Sequence, residues 1–317
     1  MRTRFSWRQR VSRRDADGRA RARPRRRSRT TGQATRAART ADGKPNLNGI
    51  WQVTNTANWD LLPHAVRPAV AQPGVYENHP VLAAPVLALG AAGLVPASAG
   101  VVEGNEIPHT PEAAATKRDN AGHWLDRDPE VRCYMPGIPR AMHMPYPVQI
   151  TQGTSKIQMV FAYANASRTI FLDAAPKPPA DKWMGHSVGH WEGNTLVVDV
   201  TNFNDRTWLS RAGDFHSDAL HVVERFTPIT PDALRYEVTL SDPNVYTRPW
   251  KMSMVLYRQL EDNATLMDFR CLEFVEETFL GHLRKDQLVK HWEGGTIILD
   301  VTRRVPEGDK QLRTVRC

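Results

Sequence analysis

Hydrophobic and polar positions alternate most regularly between residues 184 and 201. On either side of Gly193-Asn194 the period is two, as in a β-strand with one face buried. Gly and Asn both tolerate the positive φ that a two-residue hairpin loop demands. Pairing Glu192 with Thr195 puts Trp191, Gly189, Ser187, Leu196, Val198 and Val200 on one face. His190, Val188, His186, Val197, Asp199 and Thr201 fall on the other. Comparable runs predict strands over 49–54, 156–163, 168–173, 219–227, 234–242, 250–260, 265–273 and 288–303. Turn residues separate them, among them Pro178-Pro179, Asp214, Pro231-Asp232, Asp242-Pro243-Asn244 and Asp262-Asn263. About ten short strands at this spacing predict a mainly β, antiparallel sheet closed or nearly closed into a barrel.

Residues 55–130 break this pattern. They are rich in Ala, Pro and Gly, with helical turns expected near 80–89 and 111–122 and a loop at 101–108 carrying Glu103 and Glu106. A long irregular insertion after the first strand is a usual place for a lid or binding loop, and equally for a solvated decoration. Residues 41–317 are expected to form a single β-barrel domain containing this insertion.

Gly49-Ile50-Trp51, opening the first strand, resembles the entry of lipocalin-type barrels, in which an indole closes one end. The alternative is an ordinary buried strand tryptophan. With the meander of strands, the resemblance implies an up-and-down, lipocalin-like barrel. One hairpin is echoed: positions 291–302 repeat 190–201 at an offset of 101, with eight of twelve residues identical. The flanks do not align, so the echo marks a transferable hairpin unit rather than a duplicated domain.

Charge is unevenly spread. Residues 1–40 hold 15 arginines against Asp15 and Asp17, a balance of +13. The whole chain carries +8, so the remainder carries −5. This leader is expected to be disordered. It reads as a basic arm, as a targeting segment, or as GC-rich DNA read from the wrong start. Ser12-Arg13-Arg14 is similar to a twin-arginine signal, but Asp15-Ala16-Asp17 stands where apolar residues belong. The folded domain, being mildly acidic, is not expected to bind nucleic acid. No run of 18 apolar residues is present, so no transmembrane helix is expected. The three cysteines include no CxxC pair, which disfavours a zinc-thiolate site. Cys133 and Cys271 form either one disulfide in an exported protein or two buried thiols. No metal site and no cofactor are expected, since no Gly-rich phosphate loop, EF-hand loop or HExxH is present.

Candidate chemistry gathers on the 184–201 hairpin. Asp199 falls opposite Val188, diagonal to both His186 and His190, and is placed to orient one imidazole as a general base. These three are the candidate catalytic residues; the alternative is an outward polar face. A second cluster spans 216–225. There His216 precedes a strand, His221 lies on its polar face, and Glu224 falls on its apolar face, where a buried carboxylate needs Arg140 or another arginine as partner. Neither Ser187 nor Ser217 lies in a Gly-x-Ser-x-Gly elbow, which weakens a hydrolase reading. Candidate ligand-binding residues are Glu103, Arg140, Tyr146, His216, His221, Glu224 and Trp250. Nine tryptophans suit a pocket for a flat or apolar molecule, or simply a tryptophan-rich core.

Several segments, taken together and in order, resemble a large family of uncharacterised bacterial proteins. They include 41–51, 100–108, 128–140, 144–147, 191–199, 203–208, 216–226 and 248–250. Members commonly begin with a signal peptide just before the equivalent of Asp42. The resemblance therefore implies a periplasmic or secreted protein, although no such peptide is visible here, and it brings no activity with it. Three functions remain. The leading one is an exported barrel binding a small apolar or aromatic molecule. The others are a cofactor-independent acid–base enzyme (lyase, isomerase or hydrolase) on such a molecule, and a structural envelope protein. The oligomeric state is left open.

Overall fold

The computed structural model describes residues 38–68, 71–72, 81–82, 94–172, 175–176, 178–269, 271, 289–293 and 296–300. Residues 1–37 of the leader and most of 80–89 lie outside these. Nine strands close into a barrel: β1 (Gly49–Val53), β2 (Val148–Gln152), β3 (Lys156–Phe161), β4 (Ser167–Phe171), β5 (His186–Glu192), β6 (Thr195–Thr201), β7 (His221–Thr230), β8 (Ala233–Ser241) and β9 (Trp250–Arg258). Each strand pairs with its neighbour in sequence, and β1 closes the ring between β2 and β9. The hairpin register is the one the sequence predicts, with Glu192 opposite Thr195 and Asp199 opposite Val188.

A closed ring of nine strands cannot alternate in direction throughout; an odd number forces at least one parallel pair. That pair is β4–β5, registered only through Ile170–Ser187 and Phe171–Val188. The other eight pairings are antiparallel. The connection over 172–185 must therefore return along the barrel's length before β5 begins.

This topology makes the two ends unequal. One end is closed by the short turns at 153–155, 193–194 and 231–232. There Trp51, buried, donates its indole N–H to the Leu47 carbonyl at 2.8 Å, and the Arg258 guanidinium lies 4.2 Å from the indole. Arg258 also binds the Asn48 carbonyl, and a side chain at Gly49 (φ 135°) would collide with it. The opposite end carries the long connections over 54–147, 202–220 and 242–249.

The insertion packs over these connections. Helix α1 (Pro111–Gly122) starts at Thr110, whose hydroxyl accepts from the Ala113 N–H at 3.2 Å, with Pro111 in the first turn where its missing N–H costs nothing. Lys117 reaches the buried Asp214 at 2.6 Å. Arg211 lies over Trp59 and Trp124, 4.4 and 5.0 Å from their ring centres.

The barrel interior is filled, with Met159, Phe161, Val198, Phe226, Tyr236, Met252 and Leu256 all buried. Small barrels fill their bore with side chains in this way.

Of the expected strand over 265–273, the described residues 265–269 are irregular, and Cys271 is joined to Cys133. The reason is tertiary: after β9 this stretch leaves the sheet as a strap held by other contacts. Phe269 lies 5.1 and 5.0 Å from Tyr146 and Tyr163, and the disulfide ties the strap to the insertion. The expected strand over 288–303 is two strands, Val289–Glu293 and Thr296–Asp300. Their register, Glu293 opposite Thr296, repeats that of Glu192 and Thr195.

Candidate ligand-binding site

A cavity of about 440 Å³ opens where β4 and β5 part towards the end with the long connections. Its walls follow from the alternation of the two strands. Arg168 and Ser187 point inward with Ile170 and Val200, while Ser167, Thr169, Phe171 and His186 belong to the outer face; all six line the cavity. It therefore passes between the two staves rather than into the filled bore. The returning connection supplies Asp181, Lys182, Trp183 and Met184, and the insertion supplies Met135. Tyr134 braces this outer wall edge-on against Trp183, 5.0 Å between ring centres, and the disulfide at Cys133 anchors it.

On the cavity's inner side Arg168 is held in an internal ion pair. Arg168 forks onto Glu224 at 2.6 and 3.0 Å, and the Tyr236 hydroxyl donates to the same carboxylate at 2.8 Å. All three are buried. The remaining guanidinium contacts are to the Met159 sulfur, at 3.3 and 3.2 Å, a weak acceptor. The Ser187 hydroxyl is buried and has no hydrogen-bond partner among the described residues. His186 packs on Phe171, with ring centres 5.6 Å apart; burial, and then the charge of Lys182, push its pKa below the ordinary imidazole value.

The expected His/Asp cluster does not assemble. Asp199 bonds His221 Nε2 at 3.1 Å instead of either hairpin histidine, and His190 bonds Glu192 at 3.2 Å. Outward-facing side chains on a barrel wall meet their cross-strand neighbours, and the diagonal neighbour on β7 outcompetes the one on β5. His190, Asp199, His221 and Glu192 are all about half exposed. Of the three candidate catalytic residues only His186 lines the cavity.

The candidate ligand-binding residues are similarly dispersed. Glu224 meets Arg168, not Arg140. Arg140 lies in a separate buried network, forked onto Asp128 at 2.6 and 2.8 Å and bonded to Glu130 at 2.6 Å. Asn58 and Arg211 complete it, Arg211 binding Glu130 at 2.9 and 3.0 Å. Burial alone would raise Glu130's pKa, but Arg211 and Arg140 hold it at about 2. Glu103 is exposed in a one-turn helix, Glu103–Asn105. Tyr146 packs with Phe269, and Trp250 is buried 5.4 Å from Tyr246. His216 is buried; its Nδ1–H donates to the Ser217 carbonyl at 2.8 Å, so its Nε2 accepts from the Thr207 hydroxyl at 2.6 Å. Apart from the exposed Glu103, these groups are engaged in the packing of the insertion and connections, and none of them lines the cavity.

The cavity residues the sequence reading passed over are Arg168, Lys182, Trp183, Phe171 and Met135. Arg168 had a signal: it stands two residues before Ile170, hence on the inward face of β4. Phe171 lies on the outward face of the same strand, while Lys182, Trp183 and Met135 come from irregular segments with no periodicity to read. Among the described residues, no three His, Cys, Asp or Glu side chains gather as a metal site. No helix among them is long and apolar enough to cross a membrane.

No protein-family model matches the chain, and no curated protein matches it. Among solved structures, it is similar to a mutant of the fluorescent protein UnaG. The two share 15% identity over 45% of this chain and 89% of that one, with a TM-score of 0.23. The barrel assignment stands on its own strand pairings.

Proposed function

We propose that the protein binds a small, compact, mainly apolar or aromatic molecule in the cavity between β4 and β5. The observation that carries this reading is the cavity itself: about 440 Å³, walled by Trp183, Phe171, Met135 and Met184 above the buried Arg168 and Ser187. Small-molecule sites combine that size with apolar walls and a few placed polar groups. The volume also exceeds by more than tenfold the roughly 30 Å³ share of one water, which disfavours a purely structural role. Binding is favoured over acid–base catalysis because His190 and Asp199 face solvent, leaving His186 without a carboxylate partner among the described residues. Export belongs to the same proposal. The Cys133–Cys271 disulfide supports it, since such bonds persist in oxidising compartments.

The test is a fluorescence titration of the full chain with the neutral dye N-phenyl-1-naphthylamine, read beside Trp183→Ala and Thr169→Trp. Saturable one-to-one binding, weakened by both substitutions, supports the cavity as the site. Absence of saturable binding, or binding indifferent to both, overturns it.

A further inference from the structure

The polar lining of the cavity between β4 and β5 is rich in donors and poor in free acceptors. Lys182 lines it, and among the described residues its ammonium has no ion-pair partner. Lys182 is exposed and His186 buried, so the lysine marks the solvent side of the lining they share. Arg168 directs Nε and Nη2 at the sulfur of Met159, so part of its donor capacity meets only a weak acceptor. The Ser187 hydroxyl is buried without a partner among the described residues. The one carboxylate among the described lining residues, Asp181, is exposed and accepts from Asn202 Nδ2 at 3.3 Å. Glu224 already holds Arg168 and Tyr236. An occupant that complements this lining brings its own acceptor and its own negative charge.

Resting on the binding reading above, we propose that the natural occupant is an aromatic carboxylate. Its ring lies between Trp183 and Phe171, and its carboxylate meets the Lys182 ammonium, with Ser187 and Arg168 as the nearest further donors. A ring fits the walls because aromatic rings already line them, Trp183 packed 5.0 Å from Tyr134 and Phe171 5.6 Å from His186. A carboxylate fits the mouth because a charge-assisted hydrogen bond is the stronger kind, and Lys182 offers three donors. A neutral amide of the same shape keeps the stacking and loses the charge.

Calorimetric titration of the full chain with 1-naphthoate and 1-naphthamide separates these contributions. The expected result is naphthoate binding tighter by about two- to fivefold, the range of an exposed ion pair. The preference should shrink as salt rises, because the mouth is open to solvent. Lys182→Met should collapse the ratio of the two dissociation constants towards one, and Lys182→Arg should restore it. Equal affinities for the two compounds, or a ratio unmoved by Lys182→Met, overturn the carboxylate assignment while leaving the cavity as a binding site. Failure of both compounds to bind overturns the cavity reading as well.

Discussion

Arg168 on β4 and Glu224 on β7 form a two-pronged ion pair inside the barrel, joining strands that are not neighbours in the sheet. Removing one partner leaves the other buried without its counter-charge. Glu224→Gln is expected to cost about 3–5 kcal/mol, the usual penalty for breaking a buried pair. Replacing both, as Arg168→Met with Glu224→Leu, should cost less than either single change. Urea denaturation of the three variants decides it; a double mutant as unstable as the sum of the singles would count against the pairing. Tyr236→Phe, which removes one hydrogen bond to the same carboxylate, should cost about 1 kcal/mol.

The disulfide connects stability to the cavity. Cys133 and Cys271 are 138 residues apart in sequence, and Cys133 immediately precedes the Tyr134-Met135 wall. Cys271→Ser is expected to destabilise the chain by about 2–5 kcal/mol, because the open chain regains loop entropy when unfolded. Binding of N-phenyl-1-naphthylamine should weaken under reducing conditions in the native protein but not further in Cys271→Ser. Denaturation and dye titration with and without dithiothreitol test both statements.

Acid should unfold the protein in two stages. Burial holds His143 neutral, with its pKa pushed down to about 4, while its Nε2–H donates to the Leu209 carbonyl at 2.8 Å. The unfolded chain takes up that proton near 6.5. For a base whose folded pKa is depressed, stability is whole above the unfolded value and falls as the pH drops towards the folded one. His143 thus makes stability decline between about pH 6.5 and 4, by about 3 kcal/mol for a shift of this size. Burial lowers the pKa values of His216 and His109 too, so both act in the same direction. Glu130, held at about 2, adds a second loss from its unfolded value near 4.5 downward. Denaturation midpoints measured from pH 8 to pH 3 should show both declines, and His143→Asn should flatten the first.

Much of the barrel can be read from the sequence because its strands are half buried, and half-burial writes a period of two. The hairpin at 186–201 matches its signal for this reason. The parallel seam has no such signal. It follows from the number of strands, which depends on Val148–Gln152 being a strand and 265–269 not being one. The cavity depends on that seam and on an irregular connection, so its residues were illegible one by one. The hairpin histidines drew attention through spacing, yet period two alone places a residue on a face and does not say which face water reaches. Glu224 was recognisable as a buried acid. Its partner required knowing that β4 and β7 face each other across the bore.

The seam also yields a prediction from Gly189. This residue sits on β5 just past the last registered pair with β4, where a Cβ would lie 2.8 Å from Ile170 Cγ2 and 3.3 Å from both Leu172 Cδ2 and the Val197 carbonyl. The absence of a side chain lets Ile170 and Leu172 close over β5, sealing the seam beyond the cavity. Gly189→Ala adds a methyl that none of the three neighbours can avoid without moving. Ile170 is fully buried and cannot swing into solvent. The strain should therefore push β4 away from β5, at about 1–3 kcal/mol, the usual cost of overpacking. Because β4–β5 has only two registered pairs, the movement should concentrate there rather than spread along the wall. Amide hydrogen exchange should quicken at 169–172 and 187–190 while β7 and β8, with nine registered pairs between them, keep their protection. Uniform quickening across all nine strands would show instead that the seam is no weaker than the rest of the barrel.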